Sequence, residues 1–169
     1  MNQQLNLFVW APDKPWILSK TAKYPGKSLE QLMFQDYAYV HQLWSIRQRE
    51  YTGYRTKDDL HRHLDWLLQT GEKVVAKQLC PQCHKHPVAY YAIISPLPGN
   101  SCCRAKACQQ KVKNSFFYSE SIGLAPMNFS SLLQFDSANI RRQVAKHLFK
   151  WAFNIDQVTI KNCWQLFIT

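Results

Sequence analysis

Apolar positions along the chain change their spacing after residue 72, and the change separates two kinds of structure. Before it, Val40, Leu43, Trp44 and Arg47 recur at helical intervals, as do Leu60, Leu64, Leu67 and Leu68, so each set lines one face of a helix. Start and stop signals bracket these faces. Ser28-Leu29-Glu30-Gln31 is a capping box that predicts a short helix ending near Phe34. Asp36 is placed to cap a second helix reaching about Arg49, and Thr56-Lys57-Asp58-Asp59 to open a third, which Gly71 would end from the C′ position. Ahead of them, Pro12 and Pro15 keep the chain extended or turned, and Tyr24-Pro25-Gly26 signals a turn.

Beyond residue 72 the pattern shortens. Pro87 to Ser95 (PVAYYAIIS) is rich in strand formers and runs into Pro96-Leu97-Pro98-Gly99-Asn100, a turn, which predicts a β-hairpin returning through Ser101-Cys102-Cys103. Ala105 to Lys113 fits a short helix. A loop containing Gly123 and Pro126 follows, and Ser137 can cap a last long helix to about Asn154, with Ile140, Val144, Leu148, Trp151 and Ile155 on its apolar face. The tail, VTIKNCWQLFIT, suits a strand or a docked helix equally. The expected class is α+β, read as a helical module (1–72), a cysteine-bearing segment (73–119) and a C-terminal helix and tail (120–169), packed together as one compact unit. No repeat or low-complexity tract interrupts it.

Composition adds a partner class. The 169 residues are 46% hydrophobic and 14% aromatic, enough to bury a core, and carry a formal charge of +10. The charge is uneven: residues 1–72 nearly balance, whereas 73–119 hold seven basic side chains and no acidic one. Such an excess suits a polyanion, nucleic acid first. No basic-then-apolar leader opens the sequence and no run approaches a membrane span, so the expectation is a cytoplasmic protein without membrane contact, in which thiols stay reduced.

Residues 23–44, KYPGKSLEQLMFQDYAYVHQLW, contain Lys-Tyr-x-Gly-Lys, Leu-Glu-x-Leu and Asp-Tyr-x-Tyr-Val in that order. This stretch resembles the C-terminal module of exodeoxyribonuclease X-like proteins. Tyr24, Gly26 and Lys27 match its turn, and Asp36, Tyr37 and Tyr39 the start of its second helix. The resemblance implies an accessory, nucleic-acid-associated role. The full enzymes carry an exonuclease domain ahead of the module; none is expected here, and no Asp-x-Glu pair that could hold catalytic metals occurs in the 169 residues.

Six cysteines are present, and four fall into a metal-ligand pattern. Cys80-Pro81-Gln82-Cys83 is a knuckle: a two-residue spacer sets two thiolates one ligand edge apart, and Pro81 presets the turn. The next position usually needs positive φ, and His84, one of the few non-glycine types enriched there, takes that place as a turn residue and not as a ligand. The second pair is Cys108, in the first turn of a helix, with Cys103 or Cys102. Strand neighbours point to opposite faces, so one of the two faces the metal, and Cys103 lies nearer the strand-to-helix loop. The set Cys80, Cys83, Cys103 and Cys108 predicts a structural Zn²⁺ site. Its rivals are a site completed by His86, a reduced thiol cluster and a redox pair. Cys102 and Cys163 read as packed core residues.

His84-Lys85-His86-Pro87 beside a knuckle superficially resembles ββα-metal nucleases, but those need an acid beside the metal, and 73–119 has none. No nucleophile, acid/base pair or phosphate loop points to an enzyme. Lys85, Arg104, Lys106, Lys111 and Lys113 surround the cysteines, with Lys27 on the N-terminal turn, as candidate phosphate contacts. Tyr90, Tyr91, Phe116, Phe117 and Tyr118 are candidate stacking surfaces. Arg142, Lys146 and Lys150 form a further basic stripe that a solvated helix face explains equally well. The expected function is a zinc-containing, phosphate-directed accessory or regulatory protein on DNA or RNA. The alternative is a protein-interaction adaptor or inhibitor whose zinc is purely structural.

Overall fold

A computed structural model describes residues 10–50, 58–117 and 121–169. The capping box forms as its residues dictate: Ser28 Oγ accepts the Gln31 amide at 3.2 Å, Gln31 Oε1 accepts the Ser28 amide at 3.1 Å, and α1 (Leu29–Gln35) begins. Asp36 Oδ1 then accepts the Tyr39 amide at 3.3 Å and starts α2 (Tyr37–Glu50). In the turn ahead of α1, Gly26 sits at φ 73°, a left-handed value that only glycine adopts freely. Thr56 and Lys57 lie outside the described residues. Asp58 takes the cap, accepting the His61 amide at 2.7 Å at the head of α3 (Asp59–Lys73).

Gly71 does not end α3; it lies buried inside it. A Cβ there would stand 2.7 Å from Met33 Cε and 3.3 Å from Phe129 Cδ2, so the missing side chain lets α3 approach α1 and the Phe129 turn. The buried face of α3 also includes two histidines: His61, His63, Leu64 and Leu67 are buried, while Leu60 and Leu68 are only half-buried. His63 Nε2 meets Glu30 Oε1 of α1 at 2.6 Å with both side chains out of solvent. The rings of Trp10, Trp16, Trp66 and Trp164 stand around His63.

The hairpin is β1 (Tyr90–Ala92) and β2 (Ser101–Cys102), antiparallel, with Tyr90 opposite Cys102. A third strand, β3 (Leu124–Pro126), pairs with the other side of β1 to give the order β2-β1-β3. Gly123 and Pro126 argue for loop at this place, but a sheet edge tolerates proline and three residues carry no period. With α4 (Lys106–Asn114) and the helices before and after, the fold is α+β.

Ser137 caps α5 (Ala138–Val144), which continues through a π-helical turn (Ala145–Phe149) into α6 (Lys150–Ala152). The buried positions are Val144, Ala145, Leu148, Phe149, Ala152 and Phe153, two rows spaced by four. On a regular α-helix such rows drift by about 40° per step, and the wider turn removes the drift. Ile155 is buried as expected, Trp151 half-buried and Ile140 exposed. The tail is a helix, α7 (Ile160–Ile168), capped by Thr159, whose side chain accepts the Asn162 amide.

Two packed cores result. The main one gathers α1, α3, α7 and the π turn around Leu32, Met33, Leu64, Phe129 and Phe149. The smaller is built around the cysteines with Ala92, Val112 and Ile122. β1 joins them by strand alternation, Tyr91 belonging to the main core while Tyr90 and Ala92 belong to the small one. No helix among the described residues is long and apolar enough to cross a membrane.

Candidate metal centre

The knuckle is a two-sided turn. Cys80 N–H donates to His86 O at 2.8 Å, His84 N–H to Cys80 O at 2.8 Å, and Leu79 bridges to Pro87. His84 takes φ 54°, and the reversal aims the amides of Lys85 and His86 at the Cys83 sulfur. Gln82 at the tip donates to Gly99 O at 3.0 Å, tying the knuckle to the hairpin turn. From the other side the hairpin delivers Cys103 just past β2, and α4 delivers Cys108 in its first turn.

These elements bring the sulfurs of Cys80, Cys83, Cys103 and Cys108 within 4.8 Å of one another, an arrangement that could hold a metal ion. Cys83 and Cys103 Sγ are 3.9 Å apart. A tetrahedron with metal–sulfur bonds of about 2.3 Å has sulfur–sulfur edges of about 3.8 Å, so the donor set fits. Cys102 is fully buried in the small core and outside the cluster; Cys163 is fully buried in the main core. His86 stays outside the group of four, its carbonyl bonding the knuckle and its side chain exposed.

Cys83 differs from Cys103 and Cys108 in its readiness to ionise. Backbone N–H groups of Lys85 and then His86 outweigh burial at Cys83 and bring its thiol down to about 6. Burial pushes Cys108 up to about 12, with Cys103 and Cys83 adding to the effect, and pushes Cys103 up as well. Cys102 is driven to about 12 by burial and by Cys80 and Cys103 beside it. One thiolate is therefore stabilised by the fold itself. Cys103 and Cys108, both pushed up, ionise beside it only with a cation among them.

The candidate anion contacts divide into groups. Lys85, Arg104 and Lys106 are exposed, each within two residues of a cluster cysteine. Lys111 is exposed and Lys113 half-buried further along α4. Lys27 is exposed on a different substructure, the turn where its carbonyl accepts the Leu18 amide. Of the aromatic candidates, Tyr91 is fully buried, its hydroxyl 2.8 Å from Ser131 Oγ, so it offers no stacking face. Phe116 packs on the small core, Tyr90 is half-buried, Phe117 is exposed, and Tyr118 lies outside the described residues. A cleft of about 880 Å³ opens beside the centre, lined by Arg104 and His86 and also by Lys73 at the end of α3. Its acid, Glu72, is occupied by Asn128 and Ser130.

Comparison of the chain with protein-family models, curated proteins and solved structures finds no significant match.

Proposed function

We propose that the protein is a zinc-containing nucleic-acid-binding accessory or regulatory factor that grips DNA or RNA through phosphates and performs no catalysis of its own. The supporting observation is the four-sulfur cluster with Lys85, Arg104 and Lys106 exposed on the segments that supply its cysteines, inside a stretch without acids. Zinc is the metal of choice for a compact four-thiolate tetrahedron, and four protein donors leave no position for water or substrate, so its role is structural. The small core needs that support, since Ala92, Val112 and Ile122 are its buried aliphatic members. Thiolate ligation of this kind belongs in a reducing compartment, which makes the reading a cytoplasmic one. The resemblance of residues 23–44 to an exodeoxyribonuclease X-like module fits the same accessory role.

The test is oligonucleotide binding followed by fluorescence anisotropy at several salt concentrations. Affinity should fall steeply with salt, and Arg104→Glu, Lys106→Glu and Lys111→Glu together should abolish binding while the protein keeps its metal. Tight binding indifferent to salt and to these changes would sink the reading. No binding at all would leave the adaptor alternative standing.

A further inference from the structure

A second surface, on the α5–α6 rod, has the makings of a ligand site. Arg142, Lys146 and Lys150 all line one cavity of about 530 Å³, with Tyr24, Phe34 and Val158 among its other walls. The three cations repeat every four residues, about 6 Å of rise per step. That interval would drift around a regular helix, but the π turn at Ala145–Phe149 lies between Arg142 and Lys150 and holds the row in line. Among the described residues, no carboxylate comes within ion-pair distance of any of the three. The cavity's own acid is Asp156.

The same cavity also has aromatic lining, Tyr24 and Phe34. Tyr24 donates its hydroxyl to Asp36 at 2.5 Å and meets the Tyr39 ring edge-on at 5.2 Å. Lys23 bonds the same carboxylate at 3.3 Å and lies 4.9 Å from the Tyr24 ring centre. The site thus pairs a row of unneutralised cations with apolar and aromatic surface, in a volume typical of small-ligand pockets. A ligand that satisfies both halves is an anion with a flat ring attached.

We propose that this cavity holds a nucleotide unit of single-stranded nucleic acid, with phosphates along Arg142, Lys146 and Lys150 and the base against Tyr24 and Val158. The proposal rests on the nucleic-acid reading above and adds a site and a strand preference to it. Base stacking on an aromatic side chain beside a cationic row is the common means of holding single strands without reading sequence. Arg142 and Lys146 are exposed and Lys150 half-buried, so alanine replacements there spare the core.

The experiment compares a labelled single-stranded DNA twelve-mer with its duplex, by anisotropy between 50 and 200 mM salt. Proteins are the full chain, the Arg142→Ala/Lys146→Ala/Lys150→Ala variant, Tyr24→Ala and Tyr24→Phe, with folding checked by circular dichroism. The wild type should favour the single strand. The triple variant should lose about 0.7 of salt slope per cation, so its deficit shrinks about twenty-fold across that range. Tyr24→Ala should weaken single-strand binding about tenfold, and Tyr24→Phe should restore it by keeping the ring. A triple variant with wild-type affinity and slope overturns the cavity site; if Arg104, Lys106 and Lys111 reversals still abolish binding, the nucleic-acid reading survives. A reduced slope with no effect of Tyr24→Ala and no strand preference also overturns it. Absence of any oligonucleotide binding overturns both.

Discussion

Replacing Cys103 and Cys102 by alanine one at a time separates neighbours that differ only in which way the chain points them. Cys103 Sγ belongs to the four-sulfur cluster, while Cys102 is buried in the small core and pairs across the hairpin with Tyr90. Structural zinc sites of this type contribute about 10–16 kcal/mol, so one donor in four carries about 3–4 kcal/mol, or two to three orders of magnitude in zinc affinity. Cys102→Ala removes one buried heavy atom and leaves a small void, a loss of about 1 kcal/mol with metal retained. Competition with a chromophoric chelator measures the first quantity and thermal unfolding of the metal-loaded protein the second. Cys103→Ala should surrender zinc to a chelator the wild type resists, and Cys102→Ala should not. Equal zinc loss from both, or loss from Cys102→Ala alone, would refute the assignment and the strand-alternation argument behind it.

His84→Gly should retain zinc and match or exceed wild-type stability, whereas His84→Val should cost about 1–2 kcal/mol in thermal melts, because φ 54° and not the imidazole is what the position requires. Burial works to raise the Asp36 carboxyl, but hydrogen bonds from Tyr24 and Lys23 outweigh it and hold it below its ordinary value. Its contribution is therefore present above the unfolded carboxyl's pKa, near pH 4, and lost as pH falls through the lower folded value; urea melts of Asp36→Asn should show a shallower stability loss over that acid window. Removing Glu30 alone (Glu30→Leu) strands His63 in a buried site and should cost about 3–5 kcal/mol by urea unfolding, while Glu30→Leu with His63→Leu recovers most of it. Purely additive losses would contradict that pairing.

The parts of the fold that were legible from sequence are those with local causes. The Ser28 capping box, the Asp36 cap, the glycine turn at Gly26 and the positive φ at His84 each follow from a few adjacent residues, and each forms. The cysteines gather for a similar reason, since a knuckle and a hairpin-to-helix junction both have short, recognisable spacings. What escaped depends on distant partners. Gly71 reads as a helix end until Met33 and Phe129 are seen against it. His61 and His63 look like polar interruptions of a leucine stripe until Glu30 and four tryptophans enclose the second of them. The basic stripe of α5 and α6 looks like a solvated face, because neither the π turn nor the cavity it lines is written in local sequence.

X-ray absorption at the zinc edge of the purified chain tests the central claim most directly. The account predicts one zinc bound by four sulfurs at about 2.3 Å with no nitrogen or oxygen neighbour. A chain without zinc, or a zinc carrying a water or imidazole donor, would contradict the closed thiolate centre on which the non-catalytic reading depends.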